Sequence, residues 1–244
     1  MNHRRHAIAD CTQQATLPLE IDHLFICLPT PVTASGLQQL GLCSSTPPLD
    51  RTEHGTAARL ILFENVYLEL IWITDPISAA HSAIETGVDL LARAHWPQTR
   101  ASPFGLGLRS RPPRGKPHQG TEPAACGSTL VTEASVCFSA ENRVHQAEPL
   151  CFLVPQHITL AALLNLNCPT HQHLVSHPLG IRRLTDITIA TQNPQLAPRM
   201  HAILCQAGVE MSTATTPLAV LTFDGGRHGQ LLDARPTLPL VLKY

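Results

Sequence analysis

Two polar side chains lie inside short apolar segments of this chain, where they could carry chemistry. His23 occurs in the run IDHLFICL, which ends at Pro29, and Glu69 occurs in VYLELIWI. Both runs have the length and composition of buried strands. An isolated polar group in such a strand is costly unless it is paired or bound to a ligand. Imidazole and carboxylate suit Zn, Fe, Mn or Ni, so His23 and Glu69 form a candidate divalent-metal site, with Glu69 also the candidate catalytic base.

An explanation without metal is equally open at this point. His23 could be a satisfied core histidine, and Glu69 could bind Arg59 or face solvent at a sheet edge. A catalytic metal site normally uses three protein ligands and one open position. His54, in a turn, and Asp186, which follows Leu-Thr in a later strand, are the candidates for the third ligand.

The remaining histidines and arginines show weaker patterns. His171, His173 and His177 form a cluster in a Pro-flanked loop, where a histidine-rich tract could bind metal. His228 occurs in a glycine turn and is expected to be exposed. Arg182 and Arg183 could hold an anionic ligand, although a surface role is favoured.

Nucleotide and nucleophile chemistry are not supported by the motifs. Gly105 and Gly107 form a fragment of a phosphate loop, but neither the third glycine nor a Gly-Lys-Ser/Thr motif follows. We therefore expect no nucleotide cofactor. Cys27 and Cys151 lie in apolar strands and are expected to be unreactive.

Composition narrows the class of protein. The 244 residues include 43% hydrophobic and 14% charged residues, with a formal net charge of -1. This balance argues against wholesale disorder, a nucleic-acid partner and an anionic membrane surface. The eight cysteines form no C-x-x-C pair, and no apolar run reaches the roughly 20 residues that a membrane helix needs. We expect a cytoplasmic protein with free, mostly buried thiols.

The order of predicted elements repeats along the chain. The first part is predicted as a strand at 21–28, a helix at 31–42 and a hairpin at 59–73, followed by a helix at 77–94. Later strands are predicted at 103–108, 129–139 and 149–154, with a loop at 109–128 and a helical segment at 157–165. From Ile181 the order strand, helix, strands returns: 184–190, 194–207, 218–223, 229–233 and 238–242.

An ordered set of short motifs resembles the glyoxalase-like branch of the vicinal-oxygen-chelate superfamily. The set comprises Asp22-His23, Leu40-Gly41, His54-Gly55-Thr56, Tyr67-Leu68-Glu69-Leu70, SPFGLGLRS at 102–110 and HPLGIRRLTDITIAT at 177–191. These matches span about residues 20–191. Two departures stand out. Ala57-Ala58-Arg59 follows the turn where the family often has Asn, and the segment after Leu108 is too rich in Pro and Gly for the helix of a middle module.

The resemblance implies an α+β fold of repeated βαβββ modules whose mixed sheets curl around a small-molecule cup. It implies a glyoxalase-like domain at 19–160, with module one at about 20–75 and an eroded module two at about 102–156. A third module at 177–244 would pack on the same body. Modules of this kind pair within a chain or between chains, which allows a homodimer. Residues 1–18 are polar without periodicity and are predicted to form a disordered leader.

The resemblance also implies a function. The first expectation is a metal-dependent lyase or isomerase acting on a small compound with adjacent oxygens, with His23 and Glu69 as metal ligands. The second is a metal-free binding or sequestering module, in which Phe25 and either Tyr67 or Trp72 line an apolar cup. The third is a degenerate member without catalysis.

Overall fold

The computed structural model describes residues 18–44, 47–111, 137–138, 143, 145–192, 196 and 198–244. The expected leader at 1–18 lies outside these residues except for Pro18, as do most of the loop predicted at 109–128 and most of the strand predicted at 129–139. The described chain is a mixed α+β fold with two mixed sheets.

The first half of the chain builds one sheet and several short helices. In chain order its elements are β1 (Leu19–Leu28), α1 (Ala34–Gln39), β2 (Leu49–Arg51), β3 (Thr56–Leu62), β4 (Tyr67–Ile73), α2 (Pro76–Thr86), α3 (Leu90–Ala94), α4 (Trp96–Thr99), β5 (Phe104–Ser110), β6 (Cys137–Phe138) and β7 (Leu150–Leu153). The strands have the order β2-β3-β4-β1-β5-β7-β6. β1 is parallel to β4 and antiparallel to β5, and β5 is parallel to β7.

The second half builds the second sheet. Its elements are α5 (Leu160–Leu163), α6 (Pro169–Leu174), β8 (Leu184–Thr191), α7 (Pro198–Gln206), β9 (Val209–Thr213), β10 (Leu218–Phe223), β11 (Leu231–Asp233) and β12 (Leu240–Lys243). The order is β11-β12-β10-β8-β9. β8 is parallel to β9 and antiparallel to β10, and β10 is parallel to β12.

Local sequence explains where the helices begin and end. The Asp75 side chain accepts a hydrogen bond from the N–H of Ile77, and Pro76 occupies the first turn of α2. Gly87 ends α2 in a left-handed conformation with φ of 72°. The single helix predicted at 77–94 is therefore two helices, α2 and α3, and the second begins at an Asp89 cap.

The main core lies between the two sheets. Leu24 and Ile26 of β1 belong to the same buried cluster as Ile187 of β8 and Phe223 of β10. Asn65 adds a polar link, because its side chain donates to Leu184 O at 2.8 Å and accepts from Leu184 N at 2.9 Å. A smaller cluster, which includes Phe25, Cys27, Ile71, Ala94, Leu150 and Phe152, lies on the opposite face of the first sheet.

In the described part of the chain, no helix is both long and apolar enough to cross a membrane.

Candidate functional site

His23 and Glu69 lie on the same face of the first sheet. In the parallel register of β1 and β4, His23 is opposite Tyr67 and Phe25 is opposite Glu69. Side chains alternate between faces along each strand, so all four share one face. We call this surface the His23 face and define it as His23, Phe25, Arg51, Tyr67, Glu69 and Phe152. Trp72 pairs with Leu28 and lies on the other face.

The imidazole of His23 is fixed by one hydrogen bond and two rings. Its Nδ1 lies 3.0 Å from Oδ2 of Asp22, a carboxylate with 0% exposure. Its ring stacks on Tyr67, with centroids 4.3 Å apart, and meets Phe152 at 5.2 Å. Since a carboxylate only accepts, Nδ1 is the donor of this bond, and a neutral imidazole in this tautomer presents Nε2 as an acceptor.

Asp22 is placed by an irregularity in β1. The register between β1 and β5 shifts between Ile21 and His23, so Asp22 is the extra residue of a β-bulge. Its carboxylate also accepts from Arg109 Nη1 at 3.1 Å and from the N–H of Leu160 at 2.8 Å. The Asp22 carboxylate thus accepts from three donors. Arg109 and the Leu160 N–H hold it in place, and it orients the third donor, His23. The sequence analysis missed Arg109, although an arginine inside the apolar run FGLGLRS was the available signal.

Glu69 is paired with a different arginine from the one expected. Arg51 Nη2 lies 2.5 Å from Glu69 Oε1, and the Glu69 side chain is 6% exposed. The expectation of Arg59 is wrong because Arg59 pairs with Leu70 in the β3–β4 register and so lies on the opposite face. There its guanidinium donates to Val32 O and to Ser44 Oγ.

Tyr67 contributes a neutral phenolic hydroxyl group to the His23 face. Burial raises the pKa of Tyr67 well above its usual 10.0, and the nearby charges of Glu69 and Asp22 raise it further against the opposing effect of Arg51. The His23 face therefore offers an aromatic surface, an acceptor nitrogen, a hydroxyl and an arginine that is 30% exposed.

The two candidates for a third metal ligand are not near this face. His54 is exposed, with Nδ1 3.0 Å from Ser82 Oγ. Asp186 is exposed in the second sheet, opposite Thr222. Within the described ranges, no three His, Cys, Asp or Glu side chains gather as a metal site would require. Glu69, the expected second ligand, is instead paired to Arg51 in this structure.

The four other histidines singled out from the sequence lie in structural or surface positions. His171 and His173 lie in helix α6 rather than in the expected loop. His177 is buried, accepts from Cys43 N at 3.1 Å and donates from Nε2 to Leu62 O at 2.9 Å. Burial lowers the pKa of His177, which agrees with a neutral ring. His228 is exposed.

Arg182 and Arg183 lie at the surface near a single carboxylate. Their guanidinium groups are 3.9 and 3.5 Å from Glu64, and both side chains are more than half exposed. Exposed pairs of this kind contribute little to stability. Arg182 and Arg183 are therefore surface residues, which is the role that the sequence analysis favoured.

Gly105 and Gly107 make room for rings of the His23 face. Gly107 is opposite His23 and Gly105 is opposite Phe25 in the β1–β5 register. A Cβ added at Gly107 would lie 2.4 Å from His23 Cε1, and one at Gly105 would lie 2.1 Å from Phe25 Cε1. Neither distance is sterically tolerable, so the glycines are required where the rings cross β5.

Comparisons with known proteins assign no family. No protein-family model matches the chain, and no curated protein matches it. Among solved structures, a hypothetical protein from Staphylococcus aureus is similar over 84% of this chain and 91% of its own, with a TM-score of 0.45 and 8% identity. Similarity at this level establishes neither a family nor an activity.

Proposed function

We propose that this chain is a glyoxalase-like small-molecule-binding protein whose ligand lies on the His23 face without a metal ion. His23 Nε2 would accept a hydrogen bond from the ligand, and Tyr67 and Phe152 would contact its apolar part. Arg51 would bind an oxygen at the edge. The chemistry of these groups suits a compact ring that carries adjacent oxygens.

The observation that carries this proposal is the pairing of the buried carboxylates with arginines. Glu69 is bound by Arg51, and Asp22 is bound by Arg109 and His23. A cation would have to displace Arg51 from Glu69 and leave a guanidinium beside it. That exchange is unfavourable in a site with little water, where each charge depends on its partner.

The strand order supports the expected modules and cup. The strands β9-β8-β10-β12-β11 follow the same succession of parallel and antiparallel neighbours as β4-β1-β5-β7-β6. We infer that each sheet combines parts of two βαβββ modules, with β2 and β3 present only in the first. The His23 face would then be the inner wall of the cup.

Binding can be tested with catechol, a ring with two adjacent hydroxyls. We expect catechol to bind the wild-type protein in the presence of excess chelator, measured by ligand-observed NMR and calorimetry. His23→Gln should weaken binding by about tenfold, because one buried hydrogen bond of about 1.4 kcal/mol is lost. His54→Gln is the matched control, since His54 is exposed and lies outside the His23 face; its affinity should equal that of the wild type.

Two outcomes would count against the proposal. Equal loss of binding in His23→Gln and His54→Gln would show that catechol does not lie on the His23 face. Absence of catechol binding at concentrations up to about 50 mM would also contradict the proposal, because a ligand of this size binds in that range even when its contacts are inefficient.

The second candidate is the metal-dependent lyase or isomerase. The observation in its favour is that His23 and Glu69 share one face of adjacent strands. Under this alternative, catechol would bind only after the chelator is replaced by Zn²⁺, Mn²⁺, Ni²⁺ or Fe²⁺. Glu69→Gln would then abolish the metal dependence, whereas under our proposal catechol binding does not depend on the ion.

A further inference from the structure

A cavity lies away from the His23 face, between α4 and the ends of two strands in the second sheet. Its volume is about 290 Å³. From the first half of the chain it is lined by Trp96, Arg100 and Ser102, and from the second half by Thr191, Gln192 and Thr215, among others. At about 30 Å³ per water molecule, the space equals roughly ten waters.

Two buried polar atoms in the lining lack a hydrogen-bond partner. They are Trp96 Nε1, a donor, and Thr191 Oγ1, a donor and acceptor. Thr191 is 1% exposed. Among the described residues only one further buried side-chain nitrogen or oxygen, Thr56 Oγ1, lacks a hydrogen-bond partner. Buried polar groups in folded proteins are nearly always satisfied, so two orphans in one cavity indicate a missing partner.

Arg100 gives the cavity its charge. Among the described residues that line this space none is acidic, and Arg100 is the one that carries a charge. Arg100 is exposed and adopts φ of 63°, a left-handed conformation that is uncommon for a residue with a side chain. Its N–H donates to Trp96 O, the backbone hydrogen bond that ends helix α4.

We propose that this cavity binds a small organic monocarboxylate. The carboxylate would pair with Arg100, whose fork of donors matches two carboxylate oxygens. Trp96 Nε1 would donate to the ligand and the Thr191 hydroxyl would supply a second hydrogen bond. A single arginine balances one negative charge, which favours a carboxylate over doubly charged phosphate. The site is independent of the His23 face and uses none of its residues.

Trp96 provides a local optical probe. The chain has two tryptophans, so Trp72→Phe leaves Trp96 as the sole one. We expect the Trp96 emission to change in a saturable manner on titration with benzoate. Benzamide, its neutral counterpart, should bind at least about tenfold more weakly, because it lacks the charge that pairs with Arg100. Inorganic phosphate should also be weaker. Ligand-observed NMR on the wild-type protein gives a second measurement that does not depend on Trp72→Phe.

Three variants separate the proposed contacts from general effects on stability. Arg100→Gln and Thr191→Val should each weaken benzoate binding, the first by about tenfold or more. Thr56→Val is the matched control, since it replaces the other orphaned threonine outside this cavity and should leave the affinity unchanged. His23→Gln should leave it unchanged as well, which separates this site from the one on the His23 face.

The proposal would be overturned by any of three results. Absence of any response to benzoate by fluorescence or NMR at up to about 50 mM would exclude the site, because small ligands bind in that range even with poor contacts. Benzamide or phosphate binding as tightly as benzoate would contradict the assigned ligand class. Arg100→Gln and Thr191→Val binding benzoate with wild-type affinity would remove the assigned contacts.

Discussion

Asp22 is the residue on which the geometry of the His23 face depends. Its carboxylate is fully buried and accepts from Arg109, from the Leu160 N–H and from His23. Arg109 in turn donates to Glu20 Oε1 at 2.8 Å and to Asn65 O at 3.2 Å. The network is therefore satisfied as a unit, and removal of the Asp22 charge leaves Arg109 with Glu20, a partly exposed side chain, as its remaining carboxylate.

Asp22→Asn should destabilise the protein strongly. The substitution removes the negative charge and leaves buried Arg109 facing an amide, for which a cost of about 3–5 kcal/mol is expected. Urea denaturation measures the free energy of unfolding. Asp186→Asn, at an exposed carboxylate, is the matched control and should stay within about 0.5 kcal/mol of the wild type. Equal effects of the two substitutions would contradict the network.

The buried thiols predict a pH dependence of stability. Burial raises the pKa of Cys27 and of Cys151 from 9.0 to about 12, with Arg93 opposing the shift in both. Above about pH 9 the unfolded chain loses these protons while the folded chain keeps them, so folding stability must fall as pH rises. The loss approaches about 1.4 kcal/mol per thiol for each pH unit.

Urea midpoints measured between about pH 8 and about pH 10 test this slope, a window below most of the tyrosine titration. Cys27→Ala should make the slope smaller. Cys205→Ala, at an exposed thiol, should leave the slope as it is in the wild type. A slope that does not respond to Cys27→Ala would show that the decline comes from other groups.

At the scale of single residues, the sequence predicted the candidate site residues more successfully than it predicted their hydrogen-bond and ion-pair partners. His23 and Glu69 stand out because they interrupt apolar runs, which is a local signal. Arg109 also interrupts an apolar run, but the partners of Arg51 and Arg109 are not visible in the sequence, because they are fixed by how the strands pair in the sheet. Strand alternation predicts a face for each residue, but only the pairing decides which arginine meets which carboxylate.

At the scale of elements, β5 shows how a neighbouring strand shapes the site. Gly107→Ala should destabilise the protein by about 1–3 kcal/mol, because the added Cβ overlaps the His23 ring and forces it to move. The same substitution should weaken catechol binding. Gly36→Ala, in α1, is the control: the added Cβ would lie 3.2 Å from Thr33 Oγ1, and the helix preference of alanine, up to about 1 kcal/mol, offsets this contact, so the free energy of unfolding should stay close to that of the wild type. Wild-type stability of Gly107→Ala would show that the ring does not require the glycine.

The elements predicted from sequence were those with strong local signals. The strands at 21–28, 59–64, 66–73, 103–108, 149–154 and 184–190 correspond to observed strands with shifted ends. β9, with the sequence VEMST, was missed because its apolar residues are few and its pairing with β8 supplies the stability. The prediction of one continuous helix at 77–94 was wrong, because Gly87 adopts a left-handed conformation that ends α2.

At the scale of the whole molecule, the two sheets share one core and should unfold together. Phe63, 1% exposed, connects β3 to the second sheet, with its ring 4.5 Å from that of Phe223. Phe63→Ala should cost about 3–5 kcal/mol. Hydrogen exchange should show an equal loss of protection in β4 and β10.

Ile77→Ala is the control for this prediction, since Ile77 is 82% exposed on α2 and its removal should change stability by less than about 0.5 kcal/mol. Loss of protection confined to one sheet in Phe63→Ala would mean that the halves unfold separately. The contact between the sheets was beyond sequence analysis, because it joins residues about 160 positions apart.

The central claim is that Glu69 serves as the partner of Arg51 and not as a metal ligand. Calorimetric titration of Zn²⁺ into chelator-treated protein tests it most directly, with wild type, His23→Gln and Glu69→Gln compared side by side. We predict no stoichiometric binding that depends on His23 or Glu69, so the three titrations should be the same. Binding of one equivalent of Zn²⁺ by the wild type, lost in both variants, would contradict the claim and favour the metal-dependent lyase or isomerase.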